Sequence, residues 1–284
     1  MIEIRNLAQV NNLDLFTAFA EAFRDYEITL DQNEHERMLR RRGFNPELSF
    51  GAFDSGILVS FTCNGIGTFN NLFTAYDTGT GTLKEYRGQG LASKVFEASI
   101  PSLVDAGIRQ YLLEVLQHNE AAISVYRKLK FEVSREFNYF VSEASALSIK
   151  EKSLPEGYSL RKITLSELNN TDSMCDFHSS WQNSFEAIGR SPEAFAISGV
   201  FSGNMLVGYG IFEPASGDIT QLAVLPECRR KGIGTVLVNE MLTLNQHNNI
   251  KAINTDTNCK SIGPFFASHG LALKGKQYEM IRTL

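Results

Sequence analysis

Apolar and polar positions along the 284-residue chain change period several times, and the changes come in the same order twice. Met1 to Leu7 and Tyr158 to Ile163 read as opening strands, and each precedes apolar residues at helical spacing, Leu13 to Tyr26 and about Cys175 to Ile188. Two more strands follow in each half: Leu48 to Phe53 with Ile57 to Cys63, and Ala194 to Phe201 with Met205 to Phe212. The turn signals Asp54-Ser55-Gly56 and Ser202-Gly203-Asn204 part them. Strand-like runs Thr78 to Leu83 and Ile219 to Leu225 come next, then amphipathic helices over Ser93 to Ala106 and Thr235 to Asn245. Gln110 to Leu116 and Ile250 to Thr255 predict buried strands, and each leads to an asparagine, Asn119 or Asn258, suited to cap a helix. Hairpin-like material closes each half, Phe131 to Val141 and Leu271 to Ile281.

This order predicts two tandem copies of one α/β domain, residues 1–142 and 158–284. Residues 143–157 form a polar linker that ends in Pro155-Glu156-Gly157. Copies of about 140 residues are of ordinary domain size.

Composition narrows the function. A net charge of −5 argues against a nucleic-acid partner. Arg40-Arg41-Arg42 reads as the basic end of a helix, where cations complement the macrodipole. No run approaches the roughly 18 apolar residues of a membrane span, and Met1 to Arg5 begins as a strand rather than a signal peptide, so a soluble, cytoplasmic protein is expected. Cys63, Cys175, Cys228 and Cys259 lack metal or disulfide spacing, and no metal site is expected.

The chemistry concentrates in two loops 142 residues apart, Arg87-Gly88-Gln89-Gly90-Leu91-Ala92 and Arg229-Arg230-Lys231-Gly232-Ile233-Gly234. Each joins a strand to a helix N-terminus; in the second, Thr235 continues into the helix. Main-chain N–H groups and the positive end of a helix dipole converge in such a turn, and small residues let a pyrophosphate approach. No Gly-Lys-Ser/Thr is present for a P-loop.

Arg87, Gly90, Ala92, Asn119, Ala122, Tyr126 and Phe131, with Arg229, Gly232, Gly234 and Asn258 in the second copy, resemble the acyl-coenzyme A signature of the GNAT N-acetyltransferase superfamily. The resemblance implies two GNAT-like domains (α+β), each a mixed, mostly antiparallel sheet flanked by helices. It also implies acetyl-coenzyme A as cosubstrate and a small-molecule or peptide amine as acceptor. The pantetheine arm would pair with the strand before the loop, at Gly81, Thr82 and Leu83 or Ala223, Val224 and Leu225. Tyr126 would protonate the departing thiolate.

Asp77 and Glu114 are the candidate bases, with a solvated or salt-bridged role as the alternative for each. Asp218 is placed like Asp77 in the second copy. His118 and His178 are lone histidines; Trp181 and Phe185 either line an acceptor pocket or pack in the core. The place of Tyr126 falls to Phe265 or Phe266 in the second copy, so the first domain is expected to carry the chemistry. The motifs do not separate N- from O-acyl transfer, a coenzyme A sensor without turnover is the alternative, and monomer and homodimer both remain open.

Overall fold

The computed structural model describes residues 1–25, 30–147, 151–169 and 171–284. The chain divides into two compact units, Met1–Ser134 with Glu279–Leu284, and Arg135–Tyr278.

In the first unit β1 (Ile2–Asn6), α1 (Asn12–Ala22) and α2 (Gln32–Arg42) precede an antiparallel run of β2 (Phe50–Asp54), β3 (Ile57–Phe69) and β4 (Leu72–Thr82). Then α3 (Leu91–Asp105) crosses to β5 (Gln110–Leu116), parallel to β4, and α4 (Glu120–Lys128) follows. The caps explain the helices. Asn11 accepts from Asp14 N, and Asp31 with Glu34 forms a capping box. As the sequence predicts, the three arginines end α2, which stops at left-handed Gly43 (φ 81°). The first expected helix ends at Ala22, and its predicted terminus, Tyr26, lies outside the described residues. β3 and β4 run longer than expected because Asn70 and Asn71, at φ 52° and 61°, turn a two-residue hairpin. α1 and α2 cover Phe53, Leu58, Phe61 and Cys63 on one face of the sheet, while Leu91 and Val95 of α3 cover Ala52 and Val59 on the other.

The second unit repeats this plan. β7 (Tyr158–Lys162), β8 (Ala196–Ser202), β9 (Met205–Glu213) and β10 (Asp218–Val224) pair antiparallel in succession. After α6 (Ile233–Leu244), β11 (Asn249–Asp256) lies parallel to β10, and α7 (Ile262–Ser268) follows. The helix expected over Cys175 to Ile188 is absent. A one-turn 3-10 helix at Trp181–Asn183 and the short α5 (Phe185–Gly189) stand there, because the Ser184 hydroxyl caps Ala187 N at 3.1 Å and starts a new helix.

The hairpins expected at the end of each half are single strands, β6 (Glu132–Glu143) and β12 (Leu273–Thr283). Neither contains a turn, because each finds its partners far away in sequence. β6 pairs antiparallel with β11 inside the second unit. The end of β12 closes the first unit, where Leu284 N donates to Arg109 O at 3.0 Å and Arg282 Nη1 to Leu129 O at 3.0 Å. The units therefore differ from the repeat boundaries at 142 and 158: residues 135–157 fall in the second unit and 279–284 in the first.

Candidate functional site

Both glycine loops fold alike. Gly90 (φ 71°) and Gly232 (φ 86°) are left-handed N-caps of α3 and α6, and neither helix has a side-chain cap. Gly88 (φ 76°) and Arg230 (φ 63°) are left-handed two residues earlier. The first N–H groups of α3 and α6 thus point out of the helix ends. A Cβ added at Gly88 or Gly90 would meet nothing within 4 Å, and one at Gly232 only the Lys152 side chain at 3.7 Å. Open space over converging N–H groups fits an anionic group such as the pyrophosphate of coenzyme A. Leu91 and Ile233 are buried helix anchors, and Ala92 and Gly234 keep the first turn slim; a Cβ at Gly234 would sit 3.2 Å from Phe265.

The two arginines are already committed to hydrogen bonds within the protein. Arg87 Nε donates to Thr82 O at 3.1 Å and Nη2 to Ala22 O at 2.8 Å. Arg229 Nε donates to Val224 O at 3.0 Å and Nη2 to Asp176 Oδ1 at 2.8 Å. Each clamps the strand end to the segment that covers it. Gln89 Nε2 reaches Glu85 O at 3.3 Å, and Lys231 Nζ reaches Tyr158 Oη at 3.3 Å.

In the strands before the loops, Leu83 N is committed to Val59 O and Leu225 N to Val207 O, each at 2.9 Å. Alternation along an antiparallel strand then turns Gly81 and Ala223 inward and Thr82 and Val224 outward. Of the main-chain candidates, Thr82 and Val224 present their N–H groups to the open side. β4 pairs with β5 only over Thr74–Tyr76, and β10 with β11 only at Asp218, so a gap opens beyond those positions.

Tyr126 and Asp77 meet at this gap, where Tyr126 Oη donates to Asp77 Oδ2 at 2.9 Å. Asp77 also accepts from Thr80 Oγ1 at 2.9 Å and Gly79 N at 3.0 Å. Burial raises its pKa above the usual carboxylate value, and these hydrogen bonds oppose the shift. Glu114 lies elsewhere. Tyr111 stacks on Phe96 of α3 at 4.8 Å, so by alternation Leu112 and Glu114 face the α1–α2 side. There Tyr76 donates to Glu114 Oε2. Glu114 and the Tyr126–Asp77 pair therefore flank the gap from opposite faces. Asn119 caps α4, accepting from Ala122 N at 3.2 Å.

The second unit substitutes all three groups. Bulges at Thr78 in β4 and Thr220 in β10 align the strands, so Ile219, not Asp218, stands where Asp77 does. Asp218 matches Tyr76 instead and is buried. Tyr76 pairs with Leu112 and Asp218 with Lys251; two residues further along, Glu114 matches Ile253. Phe131 N bonds Tyr126 O, and Leu271 N bonds Phe266 O, each at 3.0 Å, so the helix ends settle the offset on Phe266. Ile219 and Phe266 share one apolar cluster with Phe140 and Met241. Asn258 is exposed and precedes α7 without capping it; Ser261 occupies the cap position.

A cleft of about 650 Å³ runs over the second loop between Leu222–Val224, Arg230, Gly232, Ile262 and Phe265. Lys152, within the predicted linker, lines it together with Arg229, Arg230 and Lys260. A cavity of about 60 Å³ adjoins the cleft through Asp176, Phe177 and Leu222. Trp181 is fully buried with Arg190 over its ring, and Phe185 packs near Tyr209, so both are core residues. His118 is exposed, and the main-chain carbonyl of His178 accepts from Arg135. Among the described residues, no group of three or more His, Cys, Asp or Glu side chains could hold a metal, and no helix is long and apolar enough to cross a membrane.

The family model for the acetyltransferase (GNAT) family matches residues 13–131 and 158–270. N-alpha-acetyltransferase MAK3 of Arabidopsis thaliana is 28% identical over 106 residues, 37% of this chain and 56% of that protein. N-alpha-acetyltransferase 30 of Schizosaccharomyces pombe is 32% identical over 103 residues, 36% of this chain and 69% of that protein. The chain thus spans little more than half of the first relative's length. A tandem GNAT protein from the clavulanic acid biosynthesis pathway superposes with TM-score 0.75 at 13% identity, covering 100% of this chain and 98% of its own. A GCN5-related N-acetyltransferase from Sphaerobacter thermophilus gives 0.72 at 11%, covering 99% and 95%. At these identities the superpositions show the shared fold.

Proposed function

We propose, for a chain that belongs to the acetyltransferase (GNAT) family, that the first unit transfers an acetyl group from acetyl-coenzyme A to an amine on a small molecule or peptide. The observation that carries this reading is the Tyr126–Asp77 hydrogen bond, with Glu114 across the gap, and the replacement of all three by Phe266, Ile219 and Ile253 in the second unit. When bound, acetyl-coenzyme A supplies an acyl thioester open to attack by an amine. The Gly88–Gly90 cradle would receive its anionic end, and the Thr82 N–H would orient the arm beside the gap. Tyr126 Oη carries a single proton, donated to Asp77 Oδ2 in this structure; on releasing that hydrogen bond the hydroxyl would turn its proton to a leaving sulfur on the α4 side. Glu114 offers a proton-accepting oxygen on the opposite side, where an amine can arrive without displacing Tyr126. The names of the two N-alpha-acetyltransferase relatives favour a peptide α-amine among the possible acceptors.

A second reading applies to the second unit. Its open cleft with Arg230 and Lys152, beside an apolar pair at Ile219 and Phe266, supports binding of coenzyme A without turnover.

The test is coenzyme A release from acetyl-coenzyme A with panels of small amines, free-N-terminus peptides and matched alcohols. Amine-dependent release by the parent protein, lost on Tyr126→Phe with coenzyme A affinity intact, is the expected result. Release with alcohols alone would favour O-acyl transfer. A parent protein that binds coenzyme A but turns over nothing would leave the sensor reading.

A further inference from the structure

The two voids of the second unit meet at a neck, and one carboxylate spans it. The cleft over the Gly232 loop and the small cavity beyond it share Asp176, Phe177, Leu222, Ala223 and Ile262. Leu222 and Ala223 belong to β10, and Ile262 opens α7. Asp176 and Phe177 come from the segment between the 3-10 turns at Asp172–Met174 and Trp181–Asn183. The cradle and its cations lie in the cleft, while the cavity of about 60 Å³ is lined by Tyr209, Gln221, Ile219 and Phe266.

The hydrogen bonds of Asp176 run to both lips of the gap between β10 and β11. Its Oδ1 accepts from Arg229 Nη2 at 2.8 Å, in the loop that follows β10. Its Oδ2 accepts from the Ser261 hydroxyl and, at 3.8 Å, from Cys259 Sγ, both in the turn that follows β11. The two strands part beyond Asp218, and this carboxylate ties their far ends together again. Ser261 stands at the cap position of α7, yet its side chain makes no cap hydrogen bond, so its hydroxyl serves the clasp. Burial opposes the charge on Asp176, but the hydrogen bonds from Ser261 and Arg229 outweigh it and hold the carboxyl below its usual pKa. The clasp is therefore charged at neutral pH. In the first unit the carboxylate that meets the loop arginine is Asp25, 3.8 Å from Arg87 Nη1 and 3.6 Å from Lys84 Nζ, both on the loop side of the gap. At the other lip of that gap Asn119 caps α4.

We propose that the second unit holds the nucleotide diphosphate end of a coenzyme A-type ligand, and that the Asp176 clasp keeps the arm and its thiol out of the inner cavity. This rests on the reading that the second unit binds coenzyme A without turnover, and it states which part of the ligand the cleft takes. Lys152, Arg230 and Lys260, with the open main chain at Gly232, favour a phosphate-rich ligand. An arm directed along β10 towards Ala223 would meet the clasp at the neck, and threading it would break charge-assisted hydrogen bonds. A nucleotide without an arm leaves the clasp intact. Free and acetylated coenzyme A are then equivalent ligands for the second unit.

The experiment is calorimetry on the full-length chain carrying Gly90→Glu, which blocks the first cradle. The ligands are coenzyme A, acetyl-coenzyme A and phosphoadenosine diphosphate, which is coenzyme A cut where its arm begins. In this background the bare nucleotide is expected to bind at least as tightly as the other two, which should match each other. Adding Asp176→Ala should tighten both coenzyme A forms relative to the bare nucleotide by about fivefold, one hydrogen bond to a charged group discounted for its partial exposure. Loss of the negative charge acts on all three ligands, so the difference between them is the readout. Ser261→Ala keeps the charge and frees only the α7 lip; it should move the same difference in the same direction, by less, and it decides the matter if Asp176→Ala does not fold. Coenzyme A binding more tightly than the bare nucleotide before the clasp is opened overturns the proposal and leaves the binding reading standing. So does a difference that the folded clasp variant leaves unchanged. If neither coenzyme A nor the nucleotide binds the Gly90→Glu chain, the binding reading fails and this proposal fails with it.

Discussion

Tyr126 Oη and Asp77 Oδ2 stand 2.9 Å apart in the first unit, and the equivalent positions in the second hold Phe266 and Ile219 inside one apolar cluster. A hydrogen-bonded pair has been exchanged as a pair, which leaves neither unit with half of it. Restoring one member alone should therefore gain nothing. Phe266→Tyr places a hydroxyl where Ile219 offers no acceptor, at a cost of about 1–3 kcal/mol. The expected outcome is a lower chemical-denaturation midpoint with no new coenzyme A release, measured with first-unit turnover silenced by Tyr126→Phe. New release would show that the second unit lacks only an acid.

Asp77 gives a prediction about stability. Its folded pKa is raised by burial, so the folded state favours the protonated acid. The sign follows from linkage: relative to the unfolded chain, this group contributes stability at low pH and loses it as pH rises through the folded pKa. At pH 7 the charged carboxylate is therefore a net burden, while its oxygens still accept from Thr80, Gly79 and Tyr126. Asp77→Asn keeps an accepting oxygen and removes the charge. Stability at neutral pH is expected to hold or rise by about 1 kcal/mol, while turnover falls as Tyr126 loses its carboxylate partner. A urea midpoint well below the parent's at pH 7 would contradict this.

The paired cradles predict how many ligands bind. Gly90 and Gly232 are both left-handed, so any side chain there is strained by about 1–2 kcal/mol, and an acidic one also opposes an anion. Calorimetry with coenzyme A on Gly90→Glu, Gly232→Glu and the double variant should remove the first site, the second and both. Arg229→Ala, by contrast, is expected to lower thermal stability more than affinity, because its guanidinium is committed to Val224 O and Asp176 at the wall of the cleft.

What was legible in the sequence was local. The glycine loops, the cap at Asn119 and the basic end of α2 depend on a few adjacent residues, and each stands where the pattern places it. What was not legible depended on register or distant partners. Asp218 stands one residue short of the place of Asp77: matching bulges at Thr78 and Thr220 carry the offset between the two loops unchanged through the strands, which puts Ile219 in that place. β6 and β12 read as hairpins because the strands they pair with lie far away in sequence. His35 sits within Gln32–Arg42, a segment too polar to advertise a buried face, and only the packing of Phe16 and Phe19 reveals it.

His35 also sets an acid limit on the first unit. Burial lowers its pKa from 6.5 to about 4, so between those values the unfolded chain takes up a proton that the folded chain refuses. Stability should then fall as pH drops from about 6.5 towards 4, by an amount on the order of 2–3 kcal/mol at about 1.4 kcal/mol per pH unit. The nearest charges, Glu36 and Arg42, act in opposite directions and leave desolvation as the dominant cause. His35→Leu removes the titrating group, so its denaturation midpoint should fall less across this window than the parent's. Parallel midpoint curves for the two proteins between pH 4.5 and pH 7 would show that the imidazole is protonated, or solvated, in the folded chain.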